Sequence, residues 1–270
     1  MKPSRILAVV SFLWATSILT AAPVTPTASD WKGYTKHSFD FEGHKAFVVV
    51  PKEAAPGNPW VWRTSFPDFH AEVDVELVKG GFHIAHVDVV SMLGSDDALA
   101  IMDRFYELVR KQWGLAEKPA LEAVSRGGLH AYRYAATRPG RVACIYADTP
   151  VMDLKSWPLK HPKAKGQVAD ALKYYGFADE AALIAYDGDP IDLLEPIAKA
   201  KLALRHVISP NDQVVPAEEN TLEAKRRLEK LGWQMDLLVV DGATTTSEGH
   251  HFPLVGIEDS VAFIRKHSAP

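Results

Sequence analysis

The stretch Ala123-Val124-Ser125-Arg126-Gly127-Gly128 places a serine where an apolar run ends and a helix-forming run begins. If residues 120–124 form a strand and a helix starts at Gly127, Ser125 lies at the apex of a tight strand-to-helix turn. Such an apex strains the backbone and leaves room only for small side chains two residues to either side. Ala123 and Gly127 meet that requirement. The turn would lift the Ser125 hydroxyl clear of the sheet. It would also aim the first amides of the next helix, that of Arg126 foremost, at the same point. A serine here can also be read as a helix cap. To attack a carbonyl it needs a base that takes its proton and a carboxylate that orients the base.

The elements that would position such groups follow a regular order. Residues 23–31 read as a loose opening. Runs 37–43 and 45–51 then form an antiparallel pair across a Glu-Gly turn, and 59–65 is a third strand. From there helical and strand patterns alternate. Helices are expected at 70–80, 96–114, 128–140, 216–232 and 256–267, and strands at 82–89, 120–124, 141–147, 202–209 and 234–240. The count is eight strands. Alternation of this kind implies a mostly parallel sheet covered by helices on both faces. Residues from about 150 to 197 break the rhythm with charge and short helical pieces, and read as a small helical cap inserted over one end of the sheet.

This pattern resembles the α/β-hydrolase family, whose nucleophile elbow usually reads Gly-x-Ser-x-Gly; here Ala123 stands for the first glycine. The resemblance covers about residues 39–267. It implies an α/β fold with an eight-stranded, mostly parallel sheet, and a chain order of serine, then acid, then histidine. Asp212, in Ser209-Pro210-Asn211-Asp212 after the seventh strand, matches the acid loop. His250, after Gly249 and beyond the eighth strand, matches the histidine, with adjacent His251 as its rival. Asp148 and Asp153, after the sixth strand, compete with Asp212. The family's second oxyanion amide comes from the loop after the third strand, here Thr64 or Ser65, and would join that of Arg126. The segments PWVWRTS, SRGG and YADTPVMDLKSWP are also similar to a set of bacterial secreted hydrolases of this fold. In that likeness Trp62, Arg63 and Trp157 either border the cleft or belong to the core. The activity implied is ester cleavage through an acyl-enzyme, on a small-molecule or carbohydrate ester. A peptidase of the same fold and a non-catalytic binding protein are the alternatives.

Composition bounds the remaining possibilities. The chain has 270 residues and is 47% apolar, with no linker-like or repetitive stretch, so one domain over 23–270 is expected. A net charge of -4 with scattered lysines and arginines offers no footprint for nucleic acid. Residues 1–22 combine Lys2 and Arg5, a fourteen-residue apolar run and a small-residue end. That is the pattern of a secretory signal peptide, its apolar run short of the roughly twenty residues a membrane span needs, with an uncleaved membrane anchor as the alternative. A secreted or periplasmic enzyme that leaves the membrane after signal removal is expected. Cys144 is the only cysteine, so no intramolecular disulfide can form, and it sits in an apolar run as an inert thiol. His83 and His86 are three apart on a strand and face opposite ways. The Asp187 segment lacks most of the ligands of a calcium loop, so neither metal nor organic cofactor is expected.

Overall fold

A computed structural model of the protein describes residues 23–240 and 246–268, and the expected signal segment lies outside the described residues. One mixed sheet organises the chain, in the order β1-β2-β3-β5-β4-β6-β7-β8-β9. The strands are β1 (Thr27–Trp31), β2 (Tyr34–Phe41), β3 (His44–Val50), β4 (Trp60–Arg63), β5 (His83–Val87), β6 (Ala120–Val124), β7 (Cys144–Asp148), β8 (Ala203–Ile208) and β9 (Asp236–Val239). The pairings from β1 through β3 to β5 are antiparallel, and every pairing from β5 through β4 to β9 is parallel.

Among the described residues the sheet has nine strands, not the expected eight. The additional one, β1, occupies the segment read as loose and pairs with β2 from Thr27↔Ser38 to Trp31↔Tyr34. It is an edge strand whose first four residues are exposed, and only Trp31 is buried. Apolar alternation marks a strand only when one face meets the core, and here almost nothing does. The two-residue turn Lys32-Gly33 closes the hairpin with both residues at positive φ, 51° and 87°.

The central strands β5, β6 and β7 are buried along their whole length, because helices cover both faces. On one side lie α1 (Glu72–Lys79) and α8 (Ile257–His267), which contribute Val73, Leu77, Val261 and Ile264 to the core. On the other lie α2 (Asp96–Trp113), α3 (Gly127–Thr137), α6 (Leu194–Lys199) and α7 (Thr221–Lys230), with Met102, Phe105, Tyr132, Ile197 and Leu228. Burying each such aliphatic side chain stabilises the fold by about 1.5–3 kcal/mol. The long helix α2 has the ends its sequence announces: the Ser95 hydroxyl accepts from Ala98 N at 3.4 Å, and Gly114 closes it at φ 65°.

Between β7 and β8 the chain carries α4 (Lys165–Tyr175), α5 (Glu180–Ile184) and α6. A separate apolar cluster binds this region to the main body, joining Leu154, Trp157, Ala171 and Leu183 to Leu93, Leu129 and Val215. Trp62, expected either at the cleft or in the core, is core. It is 1% exposed and stacks on Trp60 at 5.4 Å, edge-on to Tyr134. Cys144 is fully buried, which pushes its thiol up to about 12. Burial likewise holds His86 down at about 4, with its Nδ1 on the Arg63 carbonyl at 2.8 Å. Among the described residues no helix is long and apolar enough to cross a membrane, and no cluster of side chains could hold a metal ion.

Candidate active site

Ser125 stands in the turn between β6 and α3 with φ 52°, a left-handed conformation that costs a non-glycine residue about 1–3 kcal/mol. The surroundings hold it there. Its amide donates to the Asp148 carbonyl at 2.9 Å, and its carbonyl accepts from Gly128 at 3.0 Å and Val151 at 2.8 Å. The two glycines that follow are needed for close approach. A Cβ on Gly127 would fall 2.1 Å from Ser65 Oγ, and one on Gly128 would fall 2.5 Å from the Val151 carbonyl oxygen. The loop after β4 and the chain leaving β7 are both pressed against the start of α3.

His250 Nε2 lies 3.0 Å from Ser125 Oγ, and His250 Nδ1 lies 2.6 Å from Asp212 Oδ2. The other Asp212 oxygen, Oδ1, accepts the amides of Val214 at 2.9 Å and Val215 at 2.8 Å, which fixes the carboxylate plane. Asp212 can only accept from Nδ1–H, so Nε2 is left to accept the serine proton. The acid and histidine loops are laced together, since Gln213 N donates to the Glu248 carbonyl at 2.9 Å. Gly249, at φ 85°, permits the approach, because a Cβ there would meet the Asn211 carbonyl oxygen at 2.3 Å. The structure therefore brings Ser125, His250 and Asp212 into one hydrogen-bonded row.

The rivals are placed elsewhere. His251 is exposed, with its Nδ1 on Ser247 Oγ at 2.7 Å and its ring 4.9 Å from that of Phe69. Asp153 caps its own turn through Lys155 N at 2.8 Å. Asp148 is bonded to His70 Nδ1, while His70 Nε2 meets the Phe252 carbonyl at 2.8 Å. A carboxylate and a carbonyl can only accept, so both nitrogens of His70 must donate and the ring is a cation. Desolvation works against that charge, but the Asp148 hydrogen bond and charge raise the His70 pKa above its ordinary value. Nothing in the sequence singled out His70, which lies 78 residues from its partner.

The oxyanion amides need one correction. Thr64 was one of two candidates, yet its amide is spent on the Glu122 carbonyl at 2.9 Å, because the strand pairing of β4 with β6 continues one residue beyond Arg63. The Thr64 hydroxyl is also occupied, with Glu122 and Gly127 carbonyls at 3.1 Å. Ser65 anchors the loop through its hydroxyl, which donates to the Val124 carbonyl at 2.7 Å. The amides of Ser65, Phe66 and Arg126 meet no acceptor among the described residues. Phe66 turns the chain at φ 41°, a backbone feature that its residue type does not announce. Below it, fully buried Arg63 donates to the Phe66 and Phe69 carbonyls at 2.5 Å each and to Glu122 Oε1 at 2.6 Å, with Asp74 at 3.2 Å. Arg63 is thus a loop clamp in an ion cluster rather than a cleft residue. Burial, opposed by Arg63, holds the Asp74 carboxyl well above the usual range.

Two large surface clefts exist, and neither is lined by Ser125, His250 or Asp212. One of about 1170 Å³ is lined by residues of α1 and α8, which pack together beneath it; another of about 590 Å³ runs beside Phe66 along β2 and β3. The hydrogen-bonded row, not cavity size, locates the candidate site, because there a serine hydroxyl, an imidazole, a carboxylate and open amides converge.

No protein-family model matches the sequence, and neither does any curated protein. Solved structures do. An S-formylglutathione hydrolase from Agrobacterium tumefaciens superposes with a TM-score of 0.63 at 15% identity, over 92% of this chain and 100% of that one. Acetyl xylan esterase 1 from Thermoanaerobacterium sp. gives 0.62 at 15%, over 92% and 89%. MPT51 (FbpC1) from Mycobacterium tuberculosis gives 0.59 at 17%, over 91% and 100%. With the crossed order β3-β5-β4-β6, the serine turn after β6 and helices on both faces, these likenesses identify the architecture: the chain has the α/β-hydrolase fold.

Proposed function

We propose that the protein is a secreted serine hydrolase of carboxylic esters, with Ser125 as nucleophile, His250 as general base and Asp212 as the group that orients the imidazole. The observation that carries this reading is the row Ser125 Oγ–His250 Nε2 at 3.0 Å and His250 Nδ1–Asp212 Oδ2 at 2.6 Å. Ser125 Oγ attacks the ester carbon while its proton passes to His250 Nε2. The carbonyl oxygen becomes an oxyanion, received by the Arg126 amide and an amide of the Ser65–Phe66 step. Collapse breaks the bond to the alcohol oxygen, which takes the proton from His250. Water, deprotonated by the same imidazole, then attacks the acyl-enzyme and restores Ser125. No step calls for a metal or cofactor.

Short acyl groups suit this reading best. Two of the structural neighbours are named for formyl and acetyl substrates. In this chain the Arg126 guanidinium lies 5.8 Å from the Trp157 ring centre, which sets a bulky aromatic side chain near Ser125. Export rests on the basic, apolar and small-residue pattern of residues 1–22. The test is covalent labelling by a fluorophosphonate together with turnover of 4-nitrophenyl acetate, both lost in Ser125→Ala. Intact protein that neither labels nor turns over would favour a binding role. Faster cleavage of aminoacyl nitroanilides than of esters would favour a peptidase.

A further inference from the structure

Arg126 follows the nucleophile directly, and its half-buried side chain has a setting unlike that of the buried arginines. Arg63 faces Asp74 and Glu122, Arg133 faces Asp96, and Arg205 faces Asp236. Arg126 forms no ion pair among the described residues. Its guanidinium lies 5.1 Å from the Phe66 ring centre and 5.8 Å from that of Trp157. Phe66 belongs to the loop after β4 and Trp157 to the segment between β7 and β8, so two separate loops supply the flanking aromatic faces. Among the described residues, the carboxylates whose charge reaches it are Asp170 on α4 and Asp88 beyond β5, neither in contact. Desolvation consequently lowers its pKa.

A cation that has lost part of its hydration without gaining a counter-charge is unfavourable unless a ligand completes it. The aromatic faces compensate only in part, because a ring quadrupole is a weaker partner than a full negative charge. The guanidinium fork's natural complement is a carboxylate, which it binds through two parallel hydrogen bonds.

We propose that the Arg126 side chain is a specificity determinant that binds a carboxylate carried by the ester substrate, on its acyl or its alcohol portion. The inference rests on the reading of Ser125 as nucleophile, because the subsite is placed by its adjacency to that residue. It names the substrate class as anionic esters, such as half-esters of diacids or acylated uronates.

The test compares matched pairs that differ only in charge: 4-nitrophenyl hydrogen adipate against its methyl ester, and acetylated D-glucuronate against acetylated D-glucose. The expected result is a kcat/KM at least about tenfold higher for the anionic member of one pair, equivalent to about 1.4 kcal/mol. That ratio should fall towards unity in Arg126→Gln, be partly kept in Arg126→Lys, and shrink with added salt. Using the ratio removes any general loss of rate from disturbance at the elbow. Equal or lower rates for the anionic member of both pairs, or a ratio unchanged in Arg126→Gln, would overturn the proposal. Calorimetric titration of the wild-type chain with adipate and with adipamide separates the two readings. Saturable binding of adipate alone, lost in Arg126→Gln, without turnover of any ester, would sink the nucleophile and leave the anion site. Ester turnover with no charge preference and no adipate binding would sink the anion site and leave the nucleophile.

Discussion

His70 joins Asp148 to the Phe252 carbonyl, donating from both ring nitrogens, and so ties the end of β7 to the loop that carries His250. The Asp148 carbonyl in turn receives the Ser125 amide at 2.9 Å. One imidazole therefore braces the strand end that receives the Ser125 amide against the loop that carries His250. His70→Ala should destabilise the fold by roughly 3–5 kcal/mol at pH 6, because it leaves the Asp148 carboxylate buried and unpaired. The sign with pH follows from the raised pKa of His70. Its contribution is complete below the ordinary histidine value of about 6.5 and is lost as pH rises through the folded-state value. Thermal melts of wild type and His70→Ala against pH should converge on the alkaline side. A gap that widens there would contradict the charged assignment.

Ser125→Ala should lower ester kcat by about 10³–10⁶-fold with the fold intact. Ser125→Gly should be as inactive yet more stable. Relief of a left-handed strain of about 1–3 kcal/mol outweighs the roughly 0.5–1 kcal/mol that glycine loses in unfolded-state entropy. Differential scanning calorimetry of the two variants checks the order.

Asp212→Asn keeps a group able to accept the Val214 and Val215 amides but presents an amide or a weaker acceptor to His250 Nδ1. The imidazole then loses its preferred tautomer, and kcat should fall by about 10⁴-fold with little change in KM. Asp148→Asn should instead act mainly on stability through His70. If Asp148→Asn proved the more damaging to kcat, with Asp212→Asn near wild type, the assignment of the acid would be reversed.

Gly127→Ala drives a methyl group to 2.1 Å from Ser65 Oγ and 2.8 Å from Thr64 Oγ1. Something must move, and the movable part is the loop expected to supply an oxyanion amide. A cost of about 1–3 kcal/mol in stability is expected from the overpacking, and kcat should fall more than KM rises. Unchanged kcat would exclude the Ser65–Phe66 step from the oxyanion site.

Arg63→Met removes the only cation from the cluster with Asp74 and Glu122 and releases the Phe66 and Phe69 carbonyls. A loss of roughly 3–5 kcal/mol is expected, readable as a lower midpoint in urea. It should be smaller at low pH, where Asp74, whose carboxyl burial already holds well above the usual range, is protonated and needs no counter-charge.

Much of this protein was legible in the chain itself. Alternating strand and helix patterns from residue 59 onward determine a parallel sheet covered on both faces. The small residues around Ser125 determine a sharp turn there, because each is a local requirement of backbone geometry or burial. Edge strand β1 escaped, since exposed residues carry no alternation. That His250 and not His251 meets Ser125, that Asp212 and not Asp148 meets His250, and that strand pairing takes the Thr64 amide are visible only in the tertiary structure. So are the pairing of His70 with Asp148 and the aromatic setting of Arg126. Each is a contact between residues far apart in the chain, Ser125 and His250 by 125 positions. Such contacts depend on angles and distances that local sequence does not encode until the whole sheet is assembled.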